Sequence, residues 1–583
     1  MRNQSIRKLT PYRQSVLLFI ALSTFLAVFG VQGIEYGVVN NFRDQSVQIP
    51  IINSYANPNE FIDDTLVEAR DSYVTLFYPA IGLLARVFPL SELLQTLYIL
   101  STAITLGGVY MLGETLFRER RVGPYAVILW MVYFSNPGGD FIHSPFITHT
   151  TFAIAIELWA LVFIFRGRYS LAASLLGIAV NINAMTAFFV TFMWFVAVLL
   201  NPKVWSWRLL HLPFLMAGMA LPTLYWKFSL PLTEASLDQF IEIMRMRLWY
   251  VVFPSTIQPI LWVGFAALLL LWRYSWRFGL PESEKHRMVL SMVAGIAGLC
   301  VVATFFAEVV PLEFIIELQL IRSTWLITVM MMFYYANMFG QLIQSDKRWQ
   351  HWLAFGLILA LTCPRWVLEL APPNQPTPYP LIVDLDTPWV NNHRLLVGII
   401  LTLVLGGLFV VVRYLVQHRK ELNLSTQGHM AAAWFTVAAF SLAWPAVVDS
   451  KIPDEQKHMT DDWQQTLIWI RDNTPETAMF VTPPEYDGFR METKRAYLGD
   501  WKDGTIGIFH NGWAIDWYTR MEALGFNDED FIFEPMTQDR LCTVVRDYDV
   551  DYAVVKQEWK ISGEPVYTND QFAVIPTPQL VCE

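Results

Sequence analysis

The chain has 583 residues, of which 54% are hydrophobic and only 16% charged, with a mean hydropathy of +0.36. Soluble domains carry about 25% charged residues, so these figures exclude an ordinary soluble enzyme and point to a chain embedded in lipid. The net charge of −10 gathers in the first polar loop and the C-terminal tail, and nothing in it points to a nucleic-acid partner.

Arg2, Arg7, Lys8 and Arg13 precede the first apolar run, 16–34, and place the N-terminus in the cytoplasm. No small-residue cleavage site follows the run, so it reads as an uncleaved first span. A crossing needs roughly 20 apolar residues. Further runs that meet this are 92–112, 209–226, 250–272, 288–307, 324–343, 351–370, 395–414 and 431–448, with shorter candidates at 122–136 and 150–165.

Two stretches decide the sidedness of everything after them. Residues 73–90 contain Arg86 and two prolines, and a full span there would export Arg118, Arg120 and Arg121. An interfacial or re-entrant helix is expected instead. Residues 169–200 form either one long span or two short ones turning at Asn181–Asn183. Two spans keep Lys203, Arg208, Arg273, Arg277, Lys285, Arg287, Lys347, Arg348, Arg413, Arg419 and Lys420 inside, and charge favours them. The expected architecture is a polytopic α-helical membrane domain of about 13 spans. It occupies residues 1–448, with a first exported loop at 35–91, and a small extracytoplasmic α/β domain follows at 449–583.

The cytoplasmic connections are short, so chemistry belongs on the exported side. The segment 35–75 holds seven carboxylates against two arginines. Carboxylates kept beside hydrocarbon lose hydration and become more basic, which suits general-base work. The stretch 308–323 is apolar enough to dip into the interface, and Arg322 stands at the mouth of the next span. There a guanidinium can clamp a lipid phosphate or simply snorkel to headgroups. Arg245, Arg247 and Arg394 are further exported arginines. Asp140, His143 and His149 share the loop 136–149, but their spacing matches no specific metal pattern. Glu157 lies inside an apolar span, where a hydrogen-bonded structural role competes with a functional one.

After Ser450 the composition becomes that of a soluble domain. A helix is expected at 461–472, a strand at 478–482, a turn at 483–488, helices at 514–524 and 537–547, and a strand at 551–556. Neither a Gly-rich phosphate loop nor a nucleophile elbow is present. Cys300 and Cys363 sit in or beside apolar runs. Cys542 and Cys582 both fall in the tail, where an oxidising compartment permits a bridge, although spacing does not establish one. The exported segments carry no Asn-x-Ser/Thr acceptor, which favours a bacterial inner membrane.

In its layout the chain resembles the GT-C class of membrane glycosyltransferases: many spans, a long acidic first exported loop ending in interfacial helices, and an exported C-terminal α/β domain. These enzymes use polyprenyl-phosphate-linked sugars, and they include oligosaccharyltransferase catalytic subunits, protein mannosyltransferases and aminoarabinose transferases. Locally, Trp463, Leu467, Trp469, Ile470, Arg471 and Asn473-Thr474-Pro475, with Tyr486-Asp487-Gly488 downstream, are similar to the start of the oligosaccharyltransferase soluble domain. There a Trp-Trp-Asp-Tyr-Gly motif binds the acceptor; here Pro483-Pro484-Glu485 replace its leading residues. The resemblance implies a catalytic acid at Asp44, with Asp63, Asp64 or Glu35 as a second acid. It implies donor phosphate held by Arg322, Arg245, Arg247 or Arg394, and acceptor contacts near Tyr486 and Asp487. In metal-dependent members such acids hold a divalent cation (Mg or Mn), for which Asp44, Asp140 and His143 are the candidates; other members need none. The implied partners are a polyprenyl-phosphate-linked sugar, membrane lipids and an acceptor lipid, glycan or protein. Two other readings of the layout are a transporter or lipid flippase, and a catalytically silent assembly or scaffold protein.

Overall fold

The computed structural model describes residues 11–27, 43–131, 136–138, 147–230, 235–257, 259–345, 347, 349–350, 353, 357, 461–486, 488–529 and 531–582. The expected spans at 351–370, 395–414 and 431–448 lie outside the described residues, apart from isolated positions.

Helix α1 (Pro11–Leu26) leads into α2 (Arg43–Ala56), the single turn α3 (Thr65–Glu68) and the short α4 (Phe77–Ala85). The bundle continues with α5 (Leu90–Phe117), α6 (Val122–Met131), α7 (His149–Phe165), α8 (Tyr169–Val180), α9 (Ala184–Leu199) and α10 (His211–Ser229). Next come α11 (Leu237–Arg247), the turn α12 (Trp249–Val252), α13 (Pro259–Ser275), α14 (Ser283–Thr304), α15 (Glu313–Glu317) and α16 (Thr324–Gln344). Among the described residues three helical stretches, Leu90–Phe117, Ser283–Val309 and Glu313–Ile343, are long and apolar enough to cross a membrane. Helices α6, α7, α8 and α9 are shorter apolar helices. The chain is thus built as a membrane protein.

Both ambiguous stretches have a definite form. Residues 73–90 hold only the nine-residue α4, too short to cross. Residues 169–200 form two helices that turn between Val180 and Ala184. The expected run 250–272 is corrected: its long helix starts only at Pro259, after the separate turn of α12. Pro254 and Pro259 lack amide donors, so a continuous helix through them would leave carbonyls unpaired.

One core lies within the bundle. Helix α16 buries Trp325, Met330, Phe333, Tyr334 and Tyr335 around its circumference, as a helix enclosed by others must. Close approach helps: a Cβ on Gly177 would lie 2.5 Å from the Met216 carbonyl oxygen, so α8 and α10 meet there only because the side chain is absent. The basic turns converge at one end, where Arg118 pairs with Glu282, Lys285 donates to the Thr115 carbonyl, and Arg166 Nε donates to Thr115 Oγ1 at 3.1 Å.

The tail forms a mixed five-stranded sheet. Strands β1 (Met479–Val481), β2 (Ala496–Tyr497), β5 (Tyr552–Lys556), β6 (Tyr567–Thr568) and β7 (Phe572–Pro576) lie in the order β2-β1-β5-β7-β6. Strands β3 (Phe526–Asn527) and β4 (Ile532–Phe533) form a separate hairpin. Helix Asp461–Asn473 covers the sheet through Trp463, Leu467 and Ile470, which pack on Phe480, Val554, Phe572 and Val574. Cys542 and Cys582 are disulfide-bonded, with 5.7 Å between their Cα atoms.

A second core joins the tail to the bundle. Ile51 and Ile52 of α2, Phe77 and Tyr78 of α4, and Phe240 and Met244 of α11 pack in one cluster with Ile506, Ile508, Ala514 and Trp517 of the tail. Removing each of the large apolar side chains from water contributes roughly 1.5–3 kcal/mol. The first loop and the tail therefore share one end of the molecule.

Candidate functional site

The site is built on that shared core. Helix α2 lies against α4, the tail helix Phe489–Thr493 and the tail turn Lys502–Phe509. A Cβ on Gly82 of α4 would fall 2.6 Å from the Tyr55 Cβ, which is how closely α4 seats on α2. Asp44 occupies the first turn of α2, and its side chain lies outside the described residues. Gln45, Ser46 and Gln48 beside it are buried, so this polar start of the helix is enclosed by protein.

Two loop carboxylates that follow differ sharply. Asp63 is exposed, with a positive φ of 61°. Asp64 is fully buried. Its Oδ1 accepts from the Leu66 and Val67 amides at 3.0 and 3.2 Å and so caps α3. Its Oδ2 accepts from Arg490 Nε at 2.6 Å and from the Tyr497 amide at 3.3 Å. Arg490 Nη1 in turn reaches both carboxylate oxygens of Asp503, at 2.9 and 2.8 Å. Burial opposes the charge on Arg490, but the facing Asp503 and Asp64 outweigh it and hold the guanidinium well above its usual range. Asp64 is thus occupied as a strut between loop and tail.

Further bonds cross the same seam or tie the first loop to α7. Trp513 Nε1 donates to the Thr65 carbonyl at 2.9 Å, and Lys494 pairs with Glu60 at 3.3 Å. The Tyr78 hydroxyl is 2.9 Å from Nδ1 of His149, the Tyr73 hydroxyl is 3.3 Å from its Nε2, and the Tyr73 ring meets Phe509 edge-on. The turn between α8 and α9 reaches this end too: the Leu76 amide donates to the Asn181 carbonyl at 2.8 Å, and Thr75 Oγ1 donates to the Ile182 carbonyl at 2.7 Å.

The candidate phosphate-binding arginines also separate. Arg245 gives Nη1 and Nη2 to one oxygen of Glu308, both at 3.0 Å. Arg247 is buried and donates to the Trp501 carbonyl and to Thr505 Oγ1, each at 3.0 Å, tying α11 to the tail. Arg322 is half-buried in the turn before α16 and donates to Gln319 Oε1 at 2.8 Å. Apolar side chains around that turn, Val309, Val310, Leu312 and Phe314, are exposed, as expected of a segment entering an interface. Glu35, Arg394, Asp140, His143 and Asp487 lie outside the described residues. Tyr486 is half-buried against Trp463 and Phe572, and burial raises its phenol. Glu157 is buried and accepts from Thr186 Oγ1 at 2.7 Å. Among the described residues no group of three His, Cys, Asp or Glu side chains could hold a metal ion.

Sequence reasoning passed over Arg490, Asp503 and Trp513. Arg490 lies 426 residues from the Asp64 that it grips, and no local signal announces a pair so distant.

The family described as Domain of unknown function (DUF6798) matches residues 461–524, the stretch that contains Arg490 and Asp503. No curated protein matches the chain. Among solved structures the chain is similar to one titled "Crystal Structure of ArnT from Cupriavidus metallidurans bound to Undecaprenyl phosphate". The two are 12% identical, with a TM-score of 0.48 over 96% of this chain and 97% of that one.

Proposed function

We propose that the chain is a membrane glycosyltransferase that moves a sugar from a polyprenyl-phosphate-linked donor to an acceptor at the end where tail and first loop meet. The observation that carries this reading is the enclosure of α2, the helix of Asp44, between α4 and two tail segments. A reactive acid there would be shielded from water while standing next to the lipid-facing helices. The tail disulfide suits an oxidising compartment and so an extracytoplasmic tail, with the basic turns at the opposite end in the cytoplasm of a bacterial inner membrane.

In the proposed reaction an acceptor hydroxyl attacks the sugar's anomeric carbon as the carbon–oxygen bond to phosphate breaks, inverting that centre. Asp44 takes the hydroxyl proton, and the polyprenyl phosphate leaves with the bonding electrons. Arg322, in the turn beside the exposed apolar Val309, Val310, Leu312 and Phe314, is the preferred partner for the developing phosphate charge. Asp63, exposed on the same loop, is the preferred second acid, since Asp64 is occupied by Arg490.

The test is release of free polyprenyl phosphate by the full chain in lipid nanodiscs, supplied with polyprenyl-phosphate-linked hexoses and pentoses and a membrane extract as acceptor source. Asp44→Asn is expected to lower release by at least 100-fold with thermal unfolding unchanged; wild-type rates in that variant contradict the reading. A second reading, a catalytically silent scaffold of the same layout, is favoured by the structural use of Asp64, Arg245 and Arg247. It predicts no release from any donor, with or without Asp44.

A further inference from the structure

The buried ion cluster spans two parts of the chain that no covalent constraint brings together. Arg490 and Asp503 belong to the tail and could satisfy each other with the tail undocked. Asp64 comes from the first loop, and its two oxygens have divided duties. One caps α3 inside the loop, while the other faces Arg490 and the Tyr497 amide of the tail. Docking therefore buries a carboxylate whose ion-pair partner among the described residues is Arg490. The turn before it is also under constraint, because Phe61 and Asp63 both adopt φ of 61° without being glycine. Side chains hold that conformation when their surroundings over-determine it. Here the surroundings are the buried Phe61 side chain, the Asp64 strut and the Lys494–Glu60 pair.

We propose that Arg490 is a positioning residue for the first loop: by gripping Asp64 from the docked tail it makes the order of α3, of the strained turn and of α2 conditional on docking. The setting of Asp44 on α2 then depends on a side chain far from it in sequence. Only this last consequence rests on the transferase reading. The mechanical claim concerns the loop and stands apart from it.

The experiment is hydrogen exchange on the full chain in lipid nanodiscs, compared among wild type, Arg490→Met and Asp64→Asn. The second variant leaves the tail's own Arg490–Asp503 pair intact, so it separates undocking from a tail that fails to fold. Residues 43–68 are expected to exchange at least tenfold faster in both variants, while strands 552–556 and 572–576 keep wild-type rates. In a Cys300→Ser, Cys363→Ser background, Glu60→Cys and Lys494→Cys bridged by a short bis-maleimide are expected to restore slow exchange to Arg490→Met. Binding of undecaprenyl phosphate, used as the probe, is read on the same samples and is expected to weaken at least tenfold in Arg490→Met and recover on bridging. Unchanged exchange over 43–68, equal acceleration of the tail strands in Asp64→Asn, or failure of the bridge to restore protection overturns the proposal. Exchange that responds and is rescued, with no binding of the probe in any sample, upholds the positioning role and counts against the transferase reading.

Discussion

In the helical bundle, α16 is surrounded by apolar side chains and α8 meets α10 across a glycine. At the seam between first loop and tail, equally buried space holds a carboxylate, a guanidinium and a second carboxylate. The bundle is specified by shape, and changes in volume are felt there. The seam adds a demand on charge: an apolar core can shift by small steps, whereas a buried ion either has its partner or does not. The seam therefore favours one docked arrangement.

Four variants sharpen this contrast. The largest effect is expected at the seam, where Arg490→Met leaves Asp64 and Asp503 facing each other without the guanidinium that pairs with both. Breaking a buried pair costs about 3–5 kcal/mol, to be read from chemical denaturation of the tail's tryptophan signal. A loss below about 1 kcal/mol would mean that water already reaches the cluster. Next is the disulfide, which closes a loop with a sequence separation of 40. Cys542→Ser with Cys582→Ser is expected to lower tail stability by up to about 4 kcal/mol and to leave residues 43–68 as protected as before. In the bundle, Gly177→Val forces a side chain against Met216 and is expected to cost about 1–3 kcal/mol through overpacking. Its thermal transition should fall while the Arg490-dependent protection of the loop persists. The smallest effect is expected at the rim, where Lys494→Ala removes a partly exposed pair worth under about 1 kcal/mol and shifts the denaturation midpoint only slightly.

The bundle was the more legible region, for a physical reason. Length and hydropathy are local properties, so α5, α14 and α16 follow from runs of residues, and the turn at Asn181–Asn183 follows from where the basic residues must stay. The late start of α13 shows the limit, since the apolar count across 250–272 outweighed what Pro254 and Pro259 were saying. In the tail the helix at 461–473 and strands at 479–481 and 552–556 were readable. Strand β7, buried along most of its length, shows no alternation to betray it. The site divided in the same way. An acidic first loop and a folded tail are legible as segments, but their meeting through Asp64, Arg490 and Trp513 is not. Nor does sequence reveal that Arg245 already has Glu308, because an arginine bound for a phosphate and one bound for a carboxylate look alike.

The account stands on first loop and tail occupying the same side of one membrane. The most direct measurement places single cysteines at Glu60 and at Lys494 in a Cys300→Ser, Cys363→Ser background and treats intact cells with a membrane-impermeant maleimide. Labelling of both positions without permeabilisation, together with cross-linking of the doubly substituted chain by a short bis-maleimide, is the result this account predicts. Labelling of one position from outside and of the other only after the membrane is opened would contradict it.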